Sequence, residues 1–157
     1  MFASYYQDTE LGRFAVETSW TYVTMFEQEN VPGAGTIDYL GQYWPGGSAL
    51  GNYGFPELKG SASVVWKKDR YSASVGWNYV DGYTEQGNNN NPIPYYATSD
   101  LRVGYMIPKI EAQLTVGVNN IADEQPPSVP TSFETQSDRA ITDIRGRMLW
   151  VELSKKF

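Results

Sequence analysis

Apolar side chains recur at every second position in six segments of this chain, and this period predicts β-strands. Between residues 12 and 28 the even positions include Phe14, Val16 and Trp20, whereas the odd positions include Glu17. Such alternation is expected where one face of a sheet meets an apolar phase and the other face a polar one. The same pattern occurs in residues 58–66, 71–79, 101–107, 110–118 and 149–157. The sequence therefore predicts an all-β chain, an antiparallel up-and-down meander of about six strands with essentially no helix.

The connections between these segments alternate in length. Residues 68–70 and 108–109 are short enough for tight hairpins. Three long connections, at residues 29–56, 81–97 and 120–144, are rich in Gly, Pro, Asn and Tyr. Compact soluble domains seldom contain such long loops, whereas transmembrane β-barrels have short turns at one end and long loops at the other. We therefore expect the sheet to be part of a transmembrane β-barrel, with the three long connections at its outer end.

Aromatic side chains near the predicted strand ends fit the same expectation. Trp66, Trp77, Tyr79 and Trp150 are expected at the level of lipid headgroups, where an amphipathic ring keeps its polar edge in water. The aromatic residues alone are equally compatible with the core of a soluble β-sandwich. A carbohydrate-binding β-sandwich that stacks loop aromatics on sugar rings is therefore the alternative function, and a small barrel completed by identical chains is a third possibility.

Composition excludes several kinds of chemistry. The 157 residues contain no Cys and no His, so the residues required for a Cys/His zinc site, a thiol nucleophile or a Ser-His-Asp triad are absent. The net charge is -6, from 18 acidic and 12 basic residues, which disfavours nucleic acid as a partner. The acidic residues Glu27 and Glu29 are expected to be solvated. We expect no enzymatic activity, no cofactor and no metal site.

Four segments in the last third of the chain resemble the C-terminal β-barrel portion of TonB-dependent outer-membrane receptors. Residues 100–105, DLRVGY, resemble the family's antepenultimate strand, and residues 114–124, LTVGVNNIADE, resemble the penultimate strand with its Asn- and Asp-containing end. Residues 143–147, DIRGR, resemble the entry to the final strand, and the chain ends at Lys156-Phe157. Ala122 departs from the pattern, which more often has an aromatic residue there.

The resemblance implies an integral β-barrel of the bacterial outer membrane. Such receptors take up a ligand, for example a siderophore or other metal chelate, cobalamin or a saccharide, when TonB pulls on a plug inside the barrel. Phe157 would then be the signal that the barrel-assembly machinery recognises. Residues 1–157 are expected to form an incomplete C-terminal barrel segment without the plug, since receptor barrels of this kind have about 22 strands. Its partners would be outer-membrane lipid, the remaining strands and the plug. The first residues do not resemble a secretory signal peptide, so the export signal is expected upstream.

The long connection at residues 29–56 contains a cluster of aromatic residues. The candidates for contact with the transported ligand by ring stacking are Tyr39, Tyr43 and Trp44, with Tyr53 and Phe55. The alternative is that this loop packs on itself or against neighbouring loops.

Overall fold

A computed structural model describes residues 1–44, 53–87, 90–132 and 135–155, and these residues form strands and turns without any helix. No helix in these ranges is therefore long and apolar enough to cross a membrane. The strands are β1 (Phe2–Thr9), β2 (Gly12–Tyr22), β3 (Glu27–Gln28), β4 (Ile37–Asp38), β5 (Gln42–Tyr43), β6 (Leu58–Lys68), β7 (Tyr71–Val80), β8 (Tyr83–Glu85), β9 (Asn91–Ile93), β10 (Tyr96–Ile107), β11 (Ala112–Asn119) and β12 (Met148–Lys155).

The seven long strands form one antiparallel meander in the order β1-β2-β6-β7-β10-β11-β12. The all-β meander is confirmed, and the sheet has one strand more than the sequence pattern predicts. Strand β1 is missed because its adjacent Tyr5 and Tyr6 obscure the alternation. The first predicted segment, residues 12–28, is also too long, because β2 ends at Tyr22 and Glu27–Gln28 pairs with β4 instead.

Three short turns lie at one end of the sheet, between β1 and β2, β6 and β7, and β10 and β11. Asp69 and Glu111 have φ angles of 51° and 50° in the second and third of these turns. In the first turn Gly12 has a φ of 120°, a conformation that a residue with a Cβ atom rarely adopts. The other three connections are long and leave from the opposite end, so the predicted alternation of loop lengths is present throughout the meander.

The strand register places most apolar residues of β2, β6, β7, β10, β11 and β12 on one face of the sheet. In β1, Tyr5 lies on this face, whereas Phe2 and Tyr6 lie on the other. A row of directly paired neighbours crosses this face from Val16 to Val64, Val75, Leu101, Val118 and Leu149. These side chains are not covered: Val16 is 42% exposed and Leu149 is 74% exposed. The two inner faces of a β-sandwich would cover each other. We call this surface the apolar face.

Aromatic residues of the apolar face lie towards both strand ends. Tyr71 and Tyr105 pair near the short turns, with 5.1 Å between ring centroids, and Trp20 and Tyr79 lie 6.1 Å apart near the long connections. The distance from Tyr71 to Tyr79 along β7 is about 26 Å, at about 3.3 Å per residue. Strands of outer-membrane barrels tilt by about 35–45°, so this length along the strand corresponds to a height of about 20 Å. This height is comparable with, and somewhat less than, the apolar band of about 25 Å between the two aromatic girdles of such barrels.

Trp150 does not belong to these rows, and its predicted position at headgroup level is wrong. It pairs with Gly117 and points to the opposite, polar face, because its parity differs from that of Leu149. Its indole Nε1 donates a hydrogen bond to Asn119 Oδ1 at 3.0 Å, and the guanidinium of Arg102 lies 5.7 Å from the ring centroid. A Cβ atom on Gly117 would lie 2.3 Å from the indole ring, so glycine makes room for it.

Candidate functional site: the loop assembly

The three long connections fold together at one end of the sheet into what we call the loop assembly: the described residues of 23–57, 81–95 and 120–147. Strand β5 of the first connection pairs in parallel with β8 of the second, and β8 pairs with β9. These short strands lie in segments whose Gly and Pro content predicts loops alone. Gly and Pro residues predict local turns, but they do not predict strand pairing between segments that are about 40 residues apart in sequence.

An apolar core joins all three connections. Tyr43, Tyr83, Ile93 and Val129 are buried together, and the partly buried Ile141 packs against them. The rings of Tyr43 and Tyr83 are stacked, with 6.5 Å between centroids and 25° between planes. Residues of the first, second and third connections therefore depend on one another for burial.

Asp138 is a buried carboxylate that binds the first and second connections to the third. Its Oδ2 accepts hydrogen bonds from the amide of Gly54 at 2.6 Å and from the hydroxyl of Tyr83 at 3.3 Å, and its Oδ1 accepts one from the amide of Ala140 at 3.0 Å. Burial raises the pKa of Asp138, while these three donors oppose the rise. Burial, followed by the charge of Asp138, raises the pKa of Tyr83, so this hydroxyl remains a donor at neutral pH.

Glu85 is a second buried carboxylate and is 0% exposed. Its Oε1 accepts hydrogen bonds from the amide of Thr131 at 2.8 Å and from the hydroxyl of Thr131 at 2.5 Å. Its Oε2 accepts a hydrogen bond from the side-chain amide of Asn91 at 3.1 Å. Because Glu85 and Thr131 are 46 positions apart in sequence, this carboxylate joins the second and third connections.

A second aromatic cluster lies within the first connection. The ring of Phe26 lies 4.7 Å from that of Phe55 and 6.1 Å from that of Tyr39, measured between centroids. The ring of Trp44 lies 5.4 Å from that of Tyr39. The side-chain amide of Asn30 donates a hydrogen bond to the Tyr39 hydroxyl. The first connection therefore has an aromatic core of its own.

The predicted ligand-contacting residues lie in two different clusters. Tyr43 belongs to the core shared by the three connections and Tyr39 to the aromatic cluster, and both are 0% exposed. Trp44 is partly buried, and its Nε1 donates to Gln42 Oε1 at 3.0 Å. This burial favours the alternative that the loop packs on itself, and ligand stacking by Tyr39, Tyr43 and Trp44 stays a prediction. The predicted assembly signal, Phe157, lies outside the described residues.

An open apolar groove of about 410 Å³ lies beside the aromatic cluster, where the first and third connections meet the sheet. Its walls include Phe26, Leu40, Tyr53, Phe55, Lys59 and Ile141. Two of the five aromatic residues expected at a ligand, Tyr53 and Phe55, line this groove. Phe26, Lys59 and Ile141 are absent from the sequence prediction, because nothing in the local pattern brings residue 141 next to residues 26 and 59.

The described part of the chain contains no group of three or more acidic residues arranged to hold a metal ion. The exposed carboxylate of Glu29 accepts a hydrogen bond from the amide of Gly33 at 2.7 Å, as part of a local turn.

No family model matches this chain, and no curated protein matches it either. Two solved structures have a similar fold. The siderophore receptor PiuA from Acinetobacter baumannii is 16% identical with a TM-score of 0.53, over 89% of this chain and 19% of that one. The copper transporter OprC is 14% identical, also with a TM-score of 0.53, over 97% of this chain and 22% of that one. These likenesses concern the fold alone. This chain spans about a fifth of each of the two proteins.

Proposed function

We propose that this chain forms part of the wall and outer loops of a TonB-dependent transporter in the bacterial outer membrane. The observation that carries this proposal is the apolar face, which is continuous across six strands from β2 to β12, exposed, and bordered by aromatic residues at both ends. Water disfavours so large an apolar surface, whereas the hydrocarbon of a bilayer accepts it. The fold shared with a siderophore receptor and a copper transporter supports the proposal.

The outer edges of β1 and β12 pair with no other strand among the described residues. In hydrocarbon each unpaired backbone group costs several kcal/mol, so an open sheet edge is not stable there. We therefore propose that further strands close the barrel, with a plug in its interior that contacts TonB. The other proposed partners are outer-membrane lipid and the barrel-assembly machinery, which would recognise Phe157.

The proposed role of the chain is ligand uptake rather than catalysis. The transported ligand would be a metal chelate such as a siderophore, or cobalamin or a saccharide, and would meet the loop assembly first. In this proposal the buried rings of Tyr39 and Tyr43 and the partly buried ring of Trp44 hold the loops in shape. The exposed apolar face speaks against the soluble carbohydrate-binding β-sandwich, since that fold has no uncovered inner face.

Expression of the full-length protein in a Gram-negative host tests this proposal. We expect the protein in the outer-membrane fraction, with the heat-dependent gel mobility of a closed barrel. The uptake assay uses four labelled ligands: a ferric siderophore, a copper chelate, cobalamin and an oligosaccharide. We expect cells to accumulate one of them. This uptake should stop when a protonophore collapses the proton gradient. A folded, monodisperse monomer obtained without detergent would contradict the proposal.

A further inference from the structure

The groove beside the aromatic cluster combines an apolar lining with one cationic side chain. The rings of Phe26 and Phe55, from the first connection, line the groove together with Ile141 from the third connection. The half-exposed ring of Tyr53 also lines it. A volume of about 410 Å³ lies within the range of about 300–1,000 Å³ that is usual for small-molecule sites. The groove is therefore large enough for a ligand with two fused rings.

Lys59 is the cation of this groove. It lies at the start of β6, paired with Val80 and Thr21, on the polar face of the sheet. Among the described residues its ammonium group makes no hydrogen bond and no ion pair. Glu57, two positions away, has its carboxylate beside Gly41. A charge that none of the described groups pairs with, at the edge of an apolar surface, is complementary to an anionic group on a ligand.

The buried carboxylate of Asp138 does not line the groove. Asp138 lies behind Gly54, which lines the groove, and three protein donors already hold its oxygens. The residues that line the groove are therefore mainly apolar, and Lys59 is the charged residue among them. A cationic ligand would be repelled there, and a small hydrophilic anion would leave the apolar walls uncovered.

We infer that the groove lined by Phe26, Phe55, Ile141 and Lys59 binds an anionic ligand with a flat apolar body, such as an aromatic carboxylate. The apolar body lies against the rings of Phe26 and Phe55, and the anionic group lies at the Lys59 ammonium. This ligand class rests on the proposed function, because it describes what the outer loops of the transporter would capture.

A matched pair of probes tests this inference: 2-naphthoate and its neutral isostere naphthalene-2-carboxamide. Binding is measured by calorimetry to the full-length protein in phosphatidylcholine nanodiscs, with empty nanodiscs as the blank. We expect naphthoate to bind at least tenfold more tightly than the carboxamide at low salt. The difference should shrink as salt is added, because Lys59 is exposed to solvent.

Substitutions then assign the site. Lys59→Gln should abolish the preference for the anion and leave the affinity for the carboxamide unchanged, while Phe55→Leu should weaken both probes. Lys67→Gln is the control, since Lys67 lies on the same strand and the same face, at the short-turn end. Equal binding of the two probes, no binding of either up to millimolar concentration, or an equal effect of Lys67→Gln would overturn the inference.

The outcomes separate this site from the proposed function. If the protein reaches the outer membrane and takes up a ligand but shows no Lys59-dependent preference, the groove assignment alone fails. If the preference is present in a protein that folds in water without lipid, the groove assignment stands and the transporter proposal fails.

Discussion

Arginine in place of Val116 is expected to lower the free energy of unfolding from a bilayer by about 2–4 kcal/mol, which is the usual cost of a basic side chain at mid-depth on the lipid side of a barrel. Val116 lies in the middle of β11, between Val103 and Val151 on the apolar face, and is 46% exposed. The measurement is denaturant unfolding of the full-length protein in lipid vesicles, together with its amount in the outer membrane.

Thr115→Arg provides the matched control for this substitution. Thr115 is the preceding residue on the same strand, but it faces the polar side, where its neighbours are Gly104 and Glu152. An arginine there remains in a polar environment next to a carboxylate, so we expect a change below about 1 kcal/mol. In a protein whose apolar face meets water, Val116→Arg would change stability by only about 0.5 kcal/mol, as surface substitutions usually do. Equal effects of the two arginines would therefore contradict a lipid-facing sheet.

Asp138→Ala is expected to loosen the loop assembly without unfolding the sheet. It leaves the amides of Gly54 and Ala140 and the hydroxyl of Tyr83 without their acceptor. Each buried donor left without a partner costs about 1–3 kcal/mol. Hydrogen exchange followed by mass spectrometry should show faster exchange in all three connections, by at least a hundredfold in peptides containing Gly54 and Ala140, with unchanged protection in β10 and β11.

Two further variants make this prediction specific. Asp138→Asn keeps the shape but places an amide NH₂ group where one carboxylate oxygen accepts, so it should cause most of the same loss. Glu27→Ala removes an exposed carboxylate of the first connection and should leave exchange unchanged. If the connections keep their protection in Asp138→Ala, the buried carboxylate does not hold the loop assembly together.

The sheet could be predicted from sequence because its signal is local. Alternation with period two identifies six of the seven long strands and their faces. Short hairpin turns fix which strands are neighbours, so the pairing of Val64 with Val75 follows from residues that are close in sequence. The same parity was enough to place Trp150 on the polar face, next to Arg102, although its aromatic character suggested the lipid interface.

The loop assembly could not be predicted in this way. Its cohesion depends on hydrogen bonds between residues far apart in sequence, such as Gly54 with Asp138, 84 positions away, and Thr131 with Glu85. The spacing of apolar residues along the sequence does not predict hydrogen bonds between residues so far apart. The Gly-, Pro- and Tyr-rich composition of the first connection therefore left two interpretations open, ligand contact and packing within the loops, and the burial of Tyr39 and Tyr43 favours the second.

Site-directed spin labelling along β11 tests the orientation of the sheet most directly. The 157 residues contain no cysteine, so single cysteines at successive positions from 112 to 119 can be labelled without background from this region. In lipid vesicles, we predict high collision rates with oxygen, which concentrates in the bilayer, at positions 114, 116 and 118, and lower rates at positions 113, 115, 117 and 119. Oxygen collision rates without this alternation, or high collision rates with a water-soluble nickel complex at positions 114 and 116, would contradict the account.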